Sequence, residues 1–242
     1  MKWILPLLLL FFGCGSSSKS YDYAVAFDPS WHALQLPGRE AALRAFSIDL
    51  IEAINKEENI QIALFEKSWD NLMYGLQKGE YQGILSNMQP YLFYEKLYDF
   101  SQPYLLTGPT VVVPIATQVS SLDEFSGKEI AIQRDSPAAL ILEKYPGIIQ
   151  RSYDSITQAL NDVANGVVDG AVIDILTAEA FCNDLFQERL KIAFPPLTQE
   201  GIRIVALHKQ ADALITTFNR GLKRLKENGT YDQLARKWNL SS

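Results

Sequence analysis

Thiols and imidazoles are scarce in this chain: its 242 residues include two cysteines, Cys14 and Cys182, and two histidines, His32 and His208. They lie far apart in the chain, without the close ligand spacing of structural zinc sites, and no HExxH, CxxC, GxSxG or GxxxxGK[ST] occurs. Zinc, hydrolase and nucleotide readings therefore lack sequence support, and neither metal nor cofactor is expected. Basic clusters are missing too. With 28 acidic against 22 basic residues and a net charge of −6, there is no electrostatic footprint for nucleic acid or an anionic membrane surface. An apolar run of spanning length is also absent. The unbroken run over 4–12 is nine residues, where a membrane helix needs about 20. His208, beside Lys209 at a predicted strand end, is expected in solvent, and His32 borders a loop; little else offers general acid–base chemistry.

What is present is an ordinary globular composition, 48% hydrophobic and 21% charged, on a chain long enough to bury a sizeable core. Lys2 followed by the apolar run suits a secretion signal. The run ends in Phe11-Phe12-Gly13-Cys14 and then a Ser-rich stretch to residue 20, which resembles a bacterial lipoprotein signal, although Phe11 stands where an aliphatic residue is usual. That resemblance implies lipidation of Cys14, a new N-terminus there, and a soluble domain tethered to the membrane. The alternative is an ordinary cleaved signal with an incidental cysteine. Lipidation would leave Cys182 without an intrachain disulfide partner, a small hydrophobe in a predicted helix over 177–186.

Residues 21–27 predict a first strand. Apolar residues at helical spacing predict a helix over 41–55, followed by a strand over 60–65. Ser68 is placed to cap a helix bearing Trp69, Leu72, Met73 and Leu76, which Gly79 stops. A short strand over 83–85 completes a β-α-β-α-β run, the alternation of a largely parallel sheet with flanking helices. A second series follows: strand 129–132, helix 138–144, helix 155–164 and strand 170–173. The Gly79…Gly83 spacing between helix and strand recurs as Gly166…Gly170, so two similar α/β lobes are expected. The last part supplies a strand over 201–207 and helices within 214–238. Stretches 105–115 and 199–205 are the candidate crossings between lobes.

Seven landmarks in order resemble the family 3 solute-binding proteins, which serve ABC importers of polar amino acids. They are Phe27-Asp28-Pro29-Ser30-Trp31, Phe46-Ser47-Ile48-Asp49-Leu50, Ser68-Trp69-Asp70, the run from Asp99 to Tyr104, the run from Ser121 to Lys128, Asn165 to Asp174, and Asn228-Gly229-Thr230-Tyr231 with Lys237-Trp238. The resemblance covers nearly all of 21–240. It implies the type II periplasmic-binding-protein fold: two α/β lobes, each a mainly parallel sheet flanked by helices, joined by two crossing strands and closing on a ligand. The expected division is a signal and tether at 1–20, lobe one at 21–106 and 203–242, and lobe two at 107–202. Expected partners are a small solute, an ABC importer permease and, through Cys14, the periplasmic face of a membrane. A monomer is expected.

Carried over residue by residue, the resemblance implies that Trp31 and Trp69 sandwich the ligand, and that Asp174, ending a strand, accepts its ammonium group. It implies that Ser136 helps hold the carboxylate, with Asp28, Asn87, Met88, Tyr94 and Arg134 completing the cleft. Two departures matter. Asp135 replaces the usual Gly before Ser136, bringing a charge that opposes an anion. Tyr94 stands six residues before Phe100, where an arginine usually grips the ligand carboxylate, and a neutral hydroxyl cannot replace a guanidinium. Either another arginine (Arg134, Arg44 or Arg203) reaches in, or the ligand lacks a free α-carboxylate and is an amine, a short peptide or another cationic solute. Two further classes are weighed against the importer component: a sensor or scaffold with a degenerate cleft, and an enzyme of the prephenate- or arogenate-dehydratase kind.

Overall fold

The computed structural model describes residues 20–31 and 38–240; Cys14, the expected lipidation site, and His32 lie outside the described residues. The first segment runs β1 (Tyr23–Phe27), α1 (Glu40–Glu58), β2 (Ile62–Glu66), α2 (Trp69–Lys78), β3 (Gly83–Ser86), β4 (Tyr98–Phe100) and β5 (Leu105–Leu106). The middle holds β6 (Pro109–Pro114), a 3-10 turn (Leu122–Phe125), β7 (Glu129–Gln133), α3 (Ala138–Leu142), β8 (Ile149–Tyr153), α4 (Ile156–Ala164), β9 (Gly170–Asp174), α5 (Ile175–Asn183) and β10 (Leu190–Ile192). The end supplies β11 (Gly201–Leu207), α6 (Asp212–Glu227) and α7 (Thr230–Lys237).

Local chemistry explains most of these boundaries. The α1 stripe Leu43, Phe46, Leu50, Ile51 and Ile54 is buried, as its spacing predicts. Gly79 and Gly166 end their helices at φ 71° each, the left-handed region where glycine bears no Cβ penalty. Ser68 does occupy the N-cap position of α2, but its hydroxyl caps no backbone N–H; it accepts from Asn71 Nδ2 at 2.8 Å instead. Strand β8 has no counterpart in the sequence reading. Its residues Ile149, Gln150, Arg151 and Ser152 are exposed, so no apolar alternation marks it, and pairing with β7 holds it in place.

Two sheets result. The first runs β2-β1-β3-β11-β4, with β5 also paired to β11, and the second runs β10-β6-β9-β7-β8. Each holds three parallel strands, β2-β1-β3 and β8-β7-β9, followed by an antiparallel neighbour, β11 or β6. The repeated glycine spacing therefore marks equivalent strands, β3 and β9. Helices α1, α6 and α7 cover one face of the first sheet and α2 the other. In the second, α4 and α5 cover one face and α3 with the 3-10 turn the other.

The chain leaves the first sheet between Leu106 and Pro109 and returns between Ile192 and Gly201. The crossings lie side by side: the Thr107 N–H donates to the Glu200 carbonyl at 2.9 Å. A Cβ on Gly201 would stand 2.4 Å from the Leu105 carbonyl oxygen, and one on Gly108 would stand 2.3 Å from the Thr198 hydroxyl. Behind the crossings, Ile175 and Leu176 of α5 join the core of the first sheet. Arg39 donates to the Leu176 carbonyl at 2.7 Å and sits 3.6 Å from the buried Glu179 carboxylate. Burial pushes the Glu179 pKa up to about 7 despite the opposing pull of Arg39.

Two expectations follow. Gly201→Ala sets a new methyl against the Leu105 backbone and should cost about 1–3 kcal/mol, whereas Gly108→Ala chiefly displaces a rotatable hydroxyl and should cost under about 1 kcal/mol; urea denaturation of both variants tests the order. For Glu179 the folded pKa lies above the ordinary carboxylate value, so its folded state binds more protons and stability falls as pH rises from about 4.5 to 7. Glu179→Gln should leave the melting temperature near pH 4.5 little changed and raise it at pH 8 by a few degrees, each kcal/mol being worth about 2–4 °C in a chain of this size. An equal shift at both pH values would refute that account.

Candidate functional site

A cavity of about 670 Å³ lies between the two sheets, beyond the C-terminal ends of parallel strands, where ligands of such sheets bind. Ser86 at the end of β3, followed by Asn87, Met88 and Gln89, lines one side with Trp69, Tyr91 and Tyr94. Arg134, Asp135 and Ser136 after β7 line the other, together with Asp174 at the end of β9. Thr107, Pro109 and Glu200, at or beside the crossings, close the back.

Asp174 sits at the N-cap of α5, but its side chain makes no capping bond and, among the described residues, no ion pair. Desolvation by the surrounding walls raises its pKa, and the nearby negative charge of Glu200 adds to that. It is a carboxylate facing the cavity that the fold does not consume. Ser136 is also unspent: its buried hydroxyl has no hydrogen-bond partner among the described residues. Asp135 adopts φ 59°, a left-handed conformation that Asp tolerates better than most side chains, and thereby turns Ser136 toward the cavity. Arg134 is engaged elsewhere, its Nε donating to Asp154 at 2.6 Å on the exposed rim.

Of the nine residues expected in the cleft, Trp69, Asn87, Met88, Tyr94, Arg134, Ser136 and Asp174 line this cavity. Trp31 and Asp28 do not line it. The loop after β1 folds inward, Trp31 N–H donating to the Asp28 carbonyl at 3.1 Å with φ 49°. The indole of Trp31 is 5% exposed and packs on Phe27 at 5.9 Å, while the Asp28 carboxylate accepts from the Ser30 amide and hydroxyl at 3.0 and 2.8 Å. Of the two indoles expected to sandwich the ligand, Trp69 alone stands on the wall of this cavity, where it is 42% exposed. Tyr94 packs against Phe93 in a tilted arrangement, ring centroids 4.0 Å apart, within the aromatic lip begun by Tyr91.

The three candidate arginines separate. Arg44 pairs with Glu66 on the surface, Arg134 lies on the rim, and Arg203 is buried, joined to Gln89 by a 2.9 Å hydrogen bond. His208 is exposed and bonds Asp99 at 2.8 Å, away from the cavity. Gln89 and Glu200 were missed in the sequence reading. Both lie in irregular segments, and their one signal was closeness to β3 and to the second crossing.

Two α/β halves around an anionic cleft, with unspent polar groups on its walls, define a binder of small polar solutes. The model of the bacterial extracellular solute-binding proteins, family 3, matches residues 23–241, and the chain belongs to that family. It is a binding protein and not an enzyme. Among relatives, an arginine-binding periplasmic protein of Mannheimia haemolytica is 27% identical, covering 96% of this chain and 97% of its own. A probable histidine-binding protein of Neisseria gonorrhoeae is 24% identical over 98% of this chain and 95% of its own. Among solved structures, the L-cystine solute receptor of Neisseria gonorrhoeae in its unliganded open conformation has a TM-score of 0.70 at 17% identity, covering 90% of this chain and 93% of that one. Among the described residues no helix is long and apolar enough to cross a membrane.

Because the Arg134–Asp154 pair is exposed on both sides, it should contribute little to stability. Arg134→Ala is expected to change the unfolding free energy by less than about 0.5 kcal/mol in a urea titration, so that any loss of ligand affinity in this variant reports on the cleft. A loss above that size would show that the pair is structural.

Proposed function

We propose that the protein is the substrate-binding component of an ABC importer and takes an amino acid or a related small cationic solute into this cleft. The halves, lobe one formed by 21–106 with 203–242 and lobe two by 107–202, close about the crossings and bury the ligand. The observation that carries this reading is Asp174: a carboxylate at the end of a parallel strand, not spent on capping α5, facing the cavity beside Glu200. A positive group placed there gains a charge-assisted hydrogen bond and relieves the repulsion of two acids. Trp69 offers an apolar and π-rich wall for the rest of a cationic solute. The names of relatives, binders of arginine, histidine and L-cystine, support an amino acid as the ligand class. Export to the periplasm with Cys14 lipidated, holding a monomeric domain beside its permease, completes the reading.

Thermal unfolding with a solute panel tests it. L-Arginine at one hundred times its Kd should add about 2.7 kcal/mol, a rise of roughly 5–10 °C, and Asp174→Asn should abolish the rise while the free protein melts within a few degrees of the wild type. A panel of amino acids, amines and short peptides without effect on the wild type would leave the degenerate sensor or scaffold in its place.

A further inference from the structure

Arg203 is 5% exposed, yet no carboxylate among the described residues lies within ion-pair distance of it. Its partners are neutral. Nη2 donates to the Gln89 Oε1 at 2.9 Å and to the Gln199 carbonyl at 2.8 Å, and Nε points at the Gly201 carbonyl at 3.5 Å. Nη1 makes no hydrogen bond with the described residues. A buried guanidinium held by carbonyl dipoles without a counter-charge is costly, and desolvation depresses its pKa. Such a cation is retained where an anion arrives from outside.

The approach is through Gln89. This side chain lines the cavity and is held by donating to the Asn87 carbonyl at 2.5 Å and, more loosely, to Gly201 at 3.3 Å. Its Oε1 occupies the position on Arg203 that a carboxylate oxygen would take. Register places Arg203 opposite Ser86, itself a lining residue at the end of β3. Asp174 and Glu200 supply the negative pole of the same cavity, and Tyr94 contributes only a neutral hydroxyl.

We infer that Arg203 is the carboxylate anchor of this cleft and that Gln89 is the latch over it: the ligand carboxylate displaces the Gln89 amide and pairs with the guanidinium, while its ammonium group meets Asp174. The inference rests on the proposed binding function and deepens it. The ligand class becomes a zwitterionic α-amino acid with a free carboxylate, and amines or esters become poorer ligands.

Titration calorimetry with L-arginine and with agmatine, the same molecule without its carboxylate, provides the test on wild type, Arg203→Ala, Arg203→Lys and Gln89→Glu. The wild type should prefer L-arginine. Arg203→Ala should weaken L-arginine by 10- to 100-fold, the range of a lost charge-assisted hydrogen bond, and leave agmatine within about threefold. Arg203→Lys should fall between them. Gln89→Glu supplies a resident carboxylate to Arg203 and should likewise weaken L-arginine at least tenfold while sparing agmatine; it and the lysine variant decide the matter if the alanine variant does not fold. Equal weakening of both compounds, or of neither, would overturn the anchor and leave the binding function standing. So would a wild type that binds agmatine but not L-arginine. If the wild type binds neither, the same comparison is made with the amino acid that the thermal panel does detect and its decarboxylated amine; no ligand anywhere in the panel would overturn both.

Discussion

The architecture depends on one constraint: β11, near the end of the chain, must enter the first sheet between β3 and β4. Everything between β5 and β11 is thereby a closed excursion that has to leave and return at one place. The two crossings meet there, tied by Thr107 and Glu200 and pressed together at Gly201, where a side chain would meet the Leu105 backbone. The cleft lies where it does because the ends of β3 and β9 face one another across this junction. Its chemistry comes from the same place, since Glu200, Thr107 and Arg203 belong to the crossings or the strand they lead into.

The landmark residues that made the family legible in the sequence serve mainly to fasten the fold. Ser47 and Tyr104 share a 2.8 Å hydrogen bond in the core, and Tyr231 donates to the Tyr104 carbonyl at 2.6 Å. Three landmarks thus meet at one buried point. Asp49 binds Lys237 at 2.6 Å and the Trp238 indole at 2.8 Å. Burial alone would raise the Asp49 pKa, and these two partners outweigh it and hold it low. Ser101 accepts from the Ile204 amide at 2.9 Å, stitching β11 to the segment beyond β4. Strand and helix order, the two-sheet plan and the glycine stops could therefore be read from pattern, because local spacing and these clasps carry the same information.

The site was less legible, for physical reasons that differ by residue. Asp174 and Ser136 could be placed because each ends or follows a recognisable strand. Trp31 could not, because whether a loop indole turns inward or outward depends on a backbone turn, here a left-handed one, that spacing does not encode. Edge strand β8 was missed because its exposed polar residues look like loop. Arg203 appeared only as one arginine among three, since burial without a counter-charge is a property of the tertiary arrangement. The apparent contradiction in the sequence, a cleft lacking its basic residue, softens once Arg203 is seen behind Gln89: the wall facing solvent is acidic, and the positive charge lies beneath it.

The late arrival of β11 also sets a timetable. As the chain is made from its N-terminus, the second sheet has all five of its strands once residue 192 is available, while β3 keeps an unpaired edge until residues 201–207 follow. The first half is thus the last to finish although it is the first to be synthesised. Pairings across so many intervening residues form slowly, and an open strand edge invites both aggregation and chaperones.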